Sequence, residues 1–206
     1  MARATADQSP AAAGDWSAVA RATASHNTLT LAEKSSSRLI AHRKLEALMG
    51  AAPIRYPDRV EWQSEGADGA AVLQATHDGY HRRHELIHSR RLRLSADGLR
   101  LEGCDRIDGL KTKVRLRTDL PYAIHFHLVP SARCGLGSAP NEAIITLANG
   151  QRWRFTAQGA TLSIEDGAYF GESAGPRVAQ QIVLRGATFG EAEVNWVAAH
   201  LTEDKT

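Results

Sequence analysis

The sequence has few cysteines, few aromatic residues and almost no excess of charge of either sign. Two cysteines among 206 residues are too few for a disulfide scaffold, and Cys104 and Cys134 lack the spacing of metal ligands. The 25 basic and 23 acidic side chains nearly cancel, which argues against a nucleic-acid-binding protein. No hydrophobic run reaches the roughly 18 residues that a membrane helix requires. These absences favour a globular protein with neither nucleic acid nor membrane as a partner.

The length of the chain fits one domain preceded by a short leader. Residues 1–16 are rich in Ala, Ser and Asp without periodicity, which predicts a disordered leader or the remnant of a linker. They contain no apolar segment of the kind found in signal peptides, so we expect no export signal in the chain as written. Residues 17–206 are assigned to one domain, which is long enough to bury a core without disulfides or a structural metal.

Short alternating segments, separated by polar turns, recur along this domain. The clearest hairpin joins 91–94 to 99–102 through Asp97-Gly98, and a second joins 143–147 to 152–156 through Asn149-Gly150. Further predicted strands are 28–31, 59–62, 71–76, 113–117, 122–129, 161–165, 181–184 and 193–198. The one helical pattern, at 38–49, is weak. The spacing predicts an all-β fold, a large antiparallel β-sandwich with little helix.

Four of the nine histidines lie close together in sequence. His77, His81, His84 and His88 would line one face of a helix and could then ligate zinc. Gly79 and the absence of an apolar helical stripe favour a strand instead. On a strand, His77 and His81 would point to the face opposite His84 and His88, so the four could not share a metal. We therefore expect a solvated, basic strand here.

A second histidine pair, His125 and His127, falls on a predicted strand and shares one of its faces. Such a pair can ligate a metal only if another strand supplies a third ligand. We interpret the two as polar-face residues, with Ile124 and Phe126 on the buried face. A small metal-dependent enzyme that uses these histidines, or His77 and His81, remains an alternative.

Basic residues concentrate between Arg82 and Arg117, and this local excess indicates an anionic partner. We predict that Arg82, Arg83, Arg91 and Arg93 bind this anionic partner as a substrate. The alternative is a solvated surface strand with no binding role. The chain contains none of the common nucleophile, phosphate-loop or zinc-helix motifs, and no catalytic residue is predicted.

Seven stretches of the chain follow one another in an order and at a spacing found in one known family. They are residues 20–29 with His26-Asn27-Thr28, His77-Asp78-Gly79-Tyr80, and residues 88–98, 101–107, 124–128, 149–155 and 180–184. Together they resemble the C-terminal region of the heparinase II/III family of polysaccharide lyases. The resemblance spans about residues 17–200.

The resemblance implies an α/α toroid followed by a large supersandwich-like β-domain, with an acidic polysaccharide such as a glycosaminoglycan bound between them. Such enzymes cleave uronic-acid polysaccharides by β-elimination, and their catalytic residues come chiefly from the toroid. This chain would therefore be the C-terminal β-sandwich of a lyase, inactive without a toroid domain or subunit. A homodimer and a periplasmic location are compatible with the family, and a cytoplasmic location is the alternative. A stand-alone carbohydrate-binding or interaction module is the other function considered.

The resemblance also implies one metal ligand. His26 matches a position that helps to hold a structural zinc in metal-containing members, together with a His and an Asp from a preceding segment. Those partners are not in this chain, so the zinc site is expected to be incomplete. The chain departs from the family pattern at Glu85, His125 and Val129, where Gly, Arg and His are more usual.

Overall fold

A computed structural model describes residues 19–38, 55–67, 69–109, 119–171 and 175–202. Twelve strands account for most of these residues. A 3-10 turn (Thr23–Ser25) precedes the first strand, and a one-turn helix α1 (His81–His84) lies between the third and fourth strands. The strands are β1 (Leu29–Leu31), β2 (Val60–Ala67), β3 (Ala70–His77), β4 (Leu86–Leu94), β5 (Arg100–Gly109), β6 (Leu120–His127), β7 (Arg133–Leu136), β8 (Glu142–Thr146), β9 (Arg152–Gln158), β10 (Thr161–Tyr169), β11 (Arg177–Thr188) and β12 (Ala192–Leu201). In this part of the chain no helix is long and apolar enough to cross a membrane.

The strands form two antiparallel sheets. A four-stranded sheet has the order β1-β6-β11-β10, and an eight-stranded sheet has the order β2-β3-β4-β5-β12-β9-β8-β7. This architecture confirms the predicted all-β fold. The leader 1–16, the predicted strand 113–117 and all of the predicted helix except Arg38 lie outside the described residues.

The core lies between the two sheets, and alternation along each strand supplies it. Ile124 and Leu184 point inward from the four-stranded sheet, and Ile107, Phe155 and Trp196 point inward from the eight-stranded sheet. Successive side chains of a strand face opposite sides of the sheet, so the intervening residues reach solvent or the outer faces. Apolar alternation in the sequence identified Ile124 and Phe126, and both contribute to this core.

Both predicted hairpins are present, and the turn residues act as expected. At the β4–β5 turn, the Asp97 carboxylate accepts hydrogen bonds from the Ser95 hydroxyl and the Leu99 N–H at 2.5 and 2.9 Å. Gly98 has a φ of 71°, a conformation that costs glycine little. The β8–β9 turn uses Gly150 in the same way, with a φ of 85°.

The predicted continuous strand from His77 to His88 is wrong. His77 ends β3, residues His81–His84 form α1, and Glu85 ends the helix with a φ of 60° before β4 begins. The chain reverses at this point, so that His77 lies opposite His88 in the β3–β4 ladder. Sequence reasoning missed the reversal because a four-residue helix is too short to show a hydrophobic period.

Candidate anion-binding site

Four arginines line one pocket of the described surface. We call it the arginine pocket; its volume is about 80 Å³ and its lining is Ser36, Arg38, Arg55, Tyr56, Asp58, Asp78, Gly79, Arg82 and Arg83. A space of this size can hold only part of a polysaccharide chain.

Three chain segments build the arginine pocket. Arg38 and Arg55 form an isolated antiparallel bridge, with backbone N–H to carbonyl distances of 2.9 and 3.3 Å. Helix α1 supplies the other two arginines. The loop before α1 approaches closely, because a Cβ on Gly79 would lie only 2.7 Å from the Ser36 carbonyl oxygen. Glycine at this position thus allows the third segment to close the pocket.

The arginine pocket carries an excess of positive charge. Four arginines face two aspartates, and Arg82 binds Asp58 through Nε and Nη2 at 2.9 and 2.6 Å. The other aspartate, Asp78, is buried and accepts a hydrogen bond from the Arg59 N–H at 3.1 Å. Arginine presents a planar set of donors that matches sulfate and carboxylate oxygens. Charge and donor geometry therefore both favour an anion here.

An exposed aromatic ring borders the same pocket. Tyr56 is 59% exposed although it is a large hydrophobic residue. Tyrosine combines an apolar ring with a polar hydroxyl, which suits it to binding surfaces that remain in contact with water. Tyr56 thus offers a stacking surface next to the arginines.

A larger cleft lies on the outer face of the four-stranded sheet. Its volume is about 430 Å³, and Thr30, Lys34, His125 and Arg185 contribute polar groups to its lining. Ser35 lines this cleft and the adjoining Ser36 lines the arginine pocket, so residues 33–36 separate the two. The pocket and the cleft could accommodate successive units of one extended ligand.

The polar groups of the cleft are held by neighbours. Arg185 binds Glu165, with Nη2 3.0 Å from Oε2. His125 Nδ1 lies 3.2 Å from Gln181 Oε1, and burial lowers the pKa of His125 below its usual value. A neutral imidazole is therefore favoured there, which leaves Lys34 and Arg185 as the cations of the cleft.

The structure separates the four arginines predicted to bind substrate. Arg82 and Arg83 line the arginine pocket, whereas Arg91 and Arg93 lie on β4, with Arg93 3.5 Å from Glu102. Sequence analysis missed Arg38 and Arg55, because nothing in the sequence indicates that residues seventeen positions apart form a bridge.

The described part of the chain supplies no further zinc ligands next to His26. His26 is exposed, and no group of three or more His, Cys, Asp or Glu side chains among the described residues could hold a metal ion. The residues in view therefore do not form a zinc site. Zinc at His26 remains a prediction that requires ligands from outside them.

A chain of hydrogen bonds connects two histidines to a buried carboxylate. The Gly79 N–H donates to His77 Nδ1 at 3.1 Å, His77 Nε2 lies 3.2 Å from His88 Nδ1, and His88 Nε2 lies 2.7 Å from Asp105 Oδ1. Because the first donor is a backbone N–H, neutral imidazoles must each carry their proton on Nε2. Both histidines then donate toward Asp105.

Two further side chains complete the environment of Asp105. Arg90 donates to both carboxylate oxygens at 2.7 and 3.1 Å, and the Trp196 indole N–H donates at 2.9 Å. Burial raises the pKa of the Asp105 carboxyl, but the His88 hydrogen bond and the Arg90 charge outweigh burial and hold it below its usual range. Asp105 is thus a fully bonded, ionised anchor within the sandwich.

His77 makes the stability of the fold depend on pH. Burial is the main cause that lowers the pKa of His77 from 6.5 to about 4, and electrostatic repulsion between His77 and His88 lowers it further. Between those values the unfolded chain binds more protons than the folded chain, so the free energy of unfolding falls as the pH falls from 6.5 toward 4. We expect His77→Asn to reduce this slope in urea unfolding curves measured at pH 4.5 to 7.5.

The variant should not abolish the slope, since the pKa values of His84 and His125 are also lowered by burial. One proton accounts for at most ~1.4 kcal/mol per pH unit. Wild-type and His77→Asn curves that stay parallel across this range would show that His77 does not titrate as described.

The fold and the pocket define an antiparallel two-sheet β-domain with a cationic surface site. Residues 6–197 match the family model described as Heparinase II/III-like, C-terminal, and the chain belongs to this family. The resemblance to this family that the sequence motifs indicated is therefore confirmed.

Individual relatives differ in what they share with the chain. FtsZ-localized protein C of Caulobacter vibrioides is 29% identical over 176 residues, covering 82% of this chain and 30% of that protein. Heparan sulfate lyase HepC of Pedobacter heparinus has a TM-score of 0.65 at 16% identity, covering 90% of this chain and 25% of that one. A heparinase III structure has a TM-score of 0.62 at 14% identity with the same coverage. The chain thus spans about a quarter to a third of these relatives, and the solved structures share its fold.

Proposed function

We propose that this domain binds acidic polysaccharide as the C-terminal β-sandwich of a heparinase II/III-like lyase. The observation that carries the proposal is the arginine pocket, where four arginines and an exposed tyrosine line one depression of the surface. Family membership supports the same class of ligand. The pocket takes a sulfate or carboxylate, and the neighbouring cleft takes the adjoining sugar unit beside Lys34 and Arg185.

Catalysis is assigned to a toroid domain or subunit, so the chain by itself is inactive. β-Elimination needs a base for the C5 proton, an acid for the leaving oxygen and a group that neutralises the uronate carboxylate. The arginines can serve the last role only, since arginine keeps its proton. Ultraviolet absorbance from an unsaturated uronate product, formed by the purified chain, would contradict this assignment.

Binding is tested by removing two charges from the pocket. We expect Arg55→Gln/Arg83→Gln to weaken retention on immobilised heparin and to raise the dissociation constant about tenfold, an amount equal to ~1.4 kcal/mol. The reason is the loss of two charge-assisted contacts to one anion. Titration calorimetry with heparin oligosaccharides at two salt concentrations measures the change, because screening weakens such contacts.

The matched control removes two positive charges from Arg91 and Arg93, the other two arginines predicted to bind substrate. Arg91→Gln/Arg93→Gln changes the outer surface at β4 and should alter affinity far less. If this control abolishes binding and the pocket variant does not, the polysaccharide runs across β4 and the pocket assignment is wrong. Equal, small effects of both variants would reject a specific anion site.

A second candidate is an interaction module without lyase activity. It is favoured by the relative at 29% identity, whose name describes localisation with FtsZ rather than a lyase, while the lyase structures are only 14–16% identical. Failure of the chain to bind any acidic polysaccharide would favour this candidate over the first.

A further inference from the structure

Strand β2 forms one edge of the eight-stranded sheet. Among the described residues, β3 is its only neighbour in the sheet order. The strand is eight residues long and contains no proline. Long regular edges of this kind are templates for another strand, and proteins commonly protect them with proline, bulges or charges.

The backbone groups that point away from β3 can be identified. The Arg59 carbonyl accepts a hydrogen bond from the Asp78 N–H at 3.2 Å, and the register continues as Val60 opposite His77. Since antiparallel partners alternate between bonded and non-bonded pairs, residues 61, 63 and 65 bond to β3. Val60, Trp62 and Ser64 therefore direct their N–H and carbonyl groups toward the open edge.

The two faces of this edge differ in chemistry. Val60 and Trp62 are 65% and 71% exposed on one face, and the neighbouring Leu73 on β3 is also exposed. Glu61 and Glu65 lie on the other face, on either side of Gln63. Arg59 Nη2 lies 3.5 Å from Glu61 Oε1, an exposed ion pair of the kind that contributes little and can be exchanged for another partner. An added strand would therefore meet apolar side chains on one face and carboxylates on the other.

We propose that the open edge of β2 binds an extended peptide segment in which basic and apolar residues alternate. The segment adds a ninth strand through the backbone groups of Val60, Trp62 and Ser64, in the manner of β-augmentation. Its apolar side chains cover Trp62, and its lysines or arginines lie across from Glu61 and Glu65, because cross-strand pairs of opposite charge are favourable.

A second copy of this chain fits the edge less well. Pairing two β2 strands would gather Glu61 and Glu65 of both copies on one face of the joined ribbon, and like charges across strands are unfavourable. A basic segment neutralises the same carboxylates. Charge therefore selects a foreign basic strand over self-association.

The probe is a fluorescein-labelled peptide, Lys-Val-Lys-Tyr-Lys-Val-Lys-Thr, followed by fluorescence anisotropy with the full chain. We expect saturable binding that is lost when glutamates replace the lysines or when alternate peptide nitrogens are methylated. Ser64→Pro should weaken binding at least tenfold, since it removes one outward N–H while proline is tolerated on an edge strand. Trp62→Ala should weaken binding several-fold and leaves the backbone intact.

A control with the same change in net charge separates contacts at β2 from general electrostatic attraction between the protein and the basic peptide. Glu61→Gln/Glu65→Gln should lower affinity, whereas Glu102→Gln/Glu193→Gln, on the central strands β5 and β12, should not. Unchanged circular dichroism confirms that each variant folds. Absence of peptide binding, or full binding by Ser64→Pro and Trp62→Ala, would overturn the proposal. So would a dimer in analytical ultracentrifugation that Ser64→Pro dissociates, because the edge would then belong to a second copy.

Discussion

Asp105→Ala should lower the free energy of unfolding by about 3–5 kcal/mol, the usual result of removing one partner of a buried ion pair. The carboxylate is 1% exposed and accepts hydrogen bonds from Arg90, His88 and Trp196. Its removal leaves these donors without their acceptor and Arg90 without its counter-charge. Urea unfolding at pH 7, followed by Trp fluorescence, measures the change.

Asp108→Ala is the matched control for this prediction. Asp108 belongs to the same strand, but its partner Arg106 is exposed and 3.4 Å away, and surface ion pairs contribute ~0–1 kcal/mol. The double variant Asp105→Leu/Arg90→Met should recover part of the loss, since it removes both charges together. A loss below 1 kcal/mol for Asp105→Ala would show that Asp105 is not an anchor.

Gly103→Ala should destabilise the fold by about 1–3 kcal/mol or more through overpacking. A Cβ at this position would lie 2.1 Å from two carbon atoms of the Trp196 ring. The ring has little room to move, because it packs against Phe126 at 4.8 Å and Phe155 at 5.8 Å between centroids. Thermal and urea unfolding measure the loss, and near-ultraviolet circular dichroism detects a shifted indole.

The control is Gly135→Ala on β7, where an added Cβ meets nothing within 4 Å. This substitution should be neutral or slightly stabilising, since it reduces the freedom of the unfolded chain. A double-mutant cycle of Gly103→Ala with Trp196→Leu should be non-additive, because the smaller side chain relieves the overlap. Additive effects would mean that the two residues do not clash.

Much of the fold could be predicted because its signals are local. The turn at Asp97-Gly98 and the alternation in β4 and β5 place hairpin and core residues with no knowledge of distant contacts. The strand β7 was missed, since Arg133–Leu136 is short and contains a glycine. Alternation cannot reveal strands of four residues in which one has no side chain.

The candidate site was only partly predictable. Charge concentration in the sequence indicated Arg82 and Arg83, and the structure places both in the arginine pocket. The same reasoning included Arg91 and Arg93, which lie on β4 outside that lining. Side chains on helix α1 and on strand β4 project in different directions. Basic residues that are close in sequence therefore do not form one surface.

Ordered motifs and period-two alternation involve neighbouring positions, so the family, the all-β class and part of the core could be predicted from the sequence. Strand order and chain reversals arise from long-range packing instead. This packing places Arg38, Arg55 and Arg82 around one pocket, connects His77 and His88 to Asp105, and leaves β2 at an edge of the described sheet. Antiparallel pairing brings together side chains that are far apart along the chain, and their separation in sequence does not indicate which strands will pair.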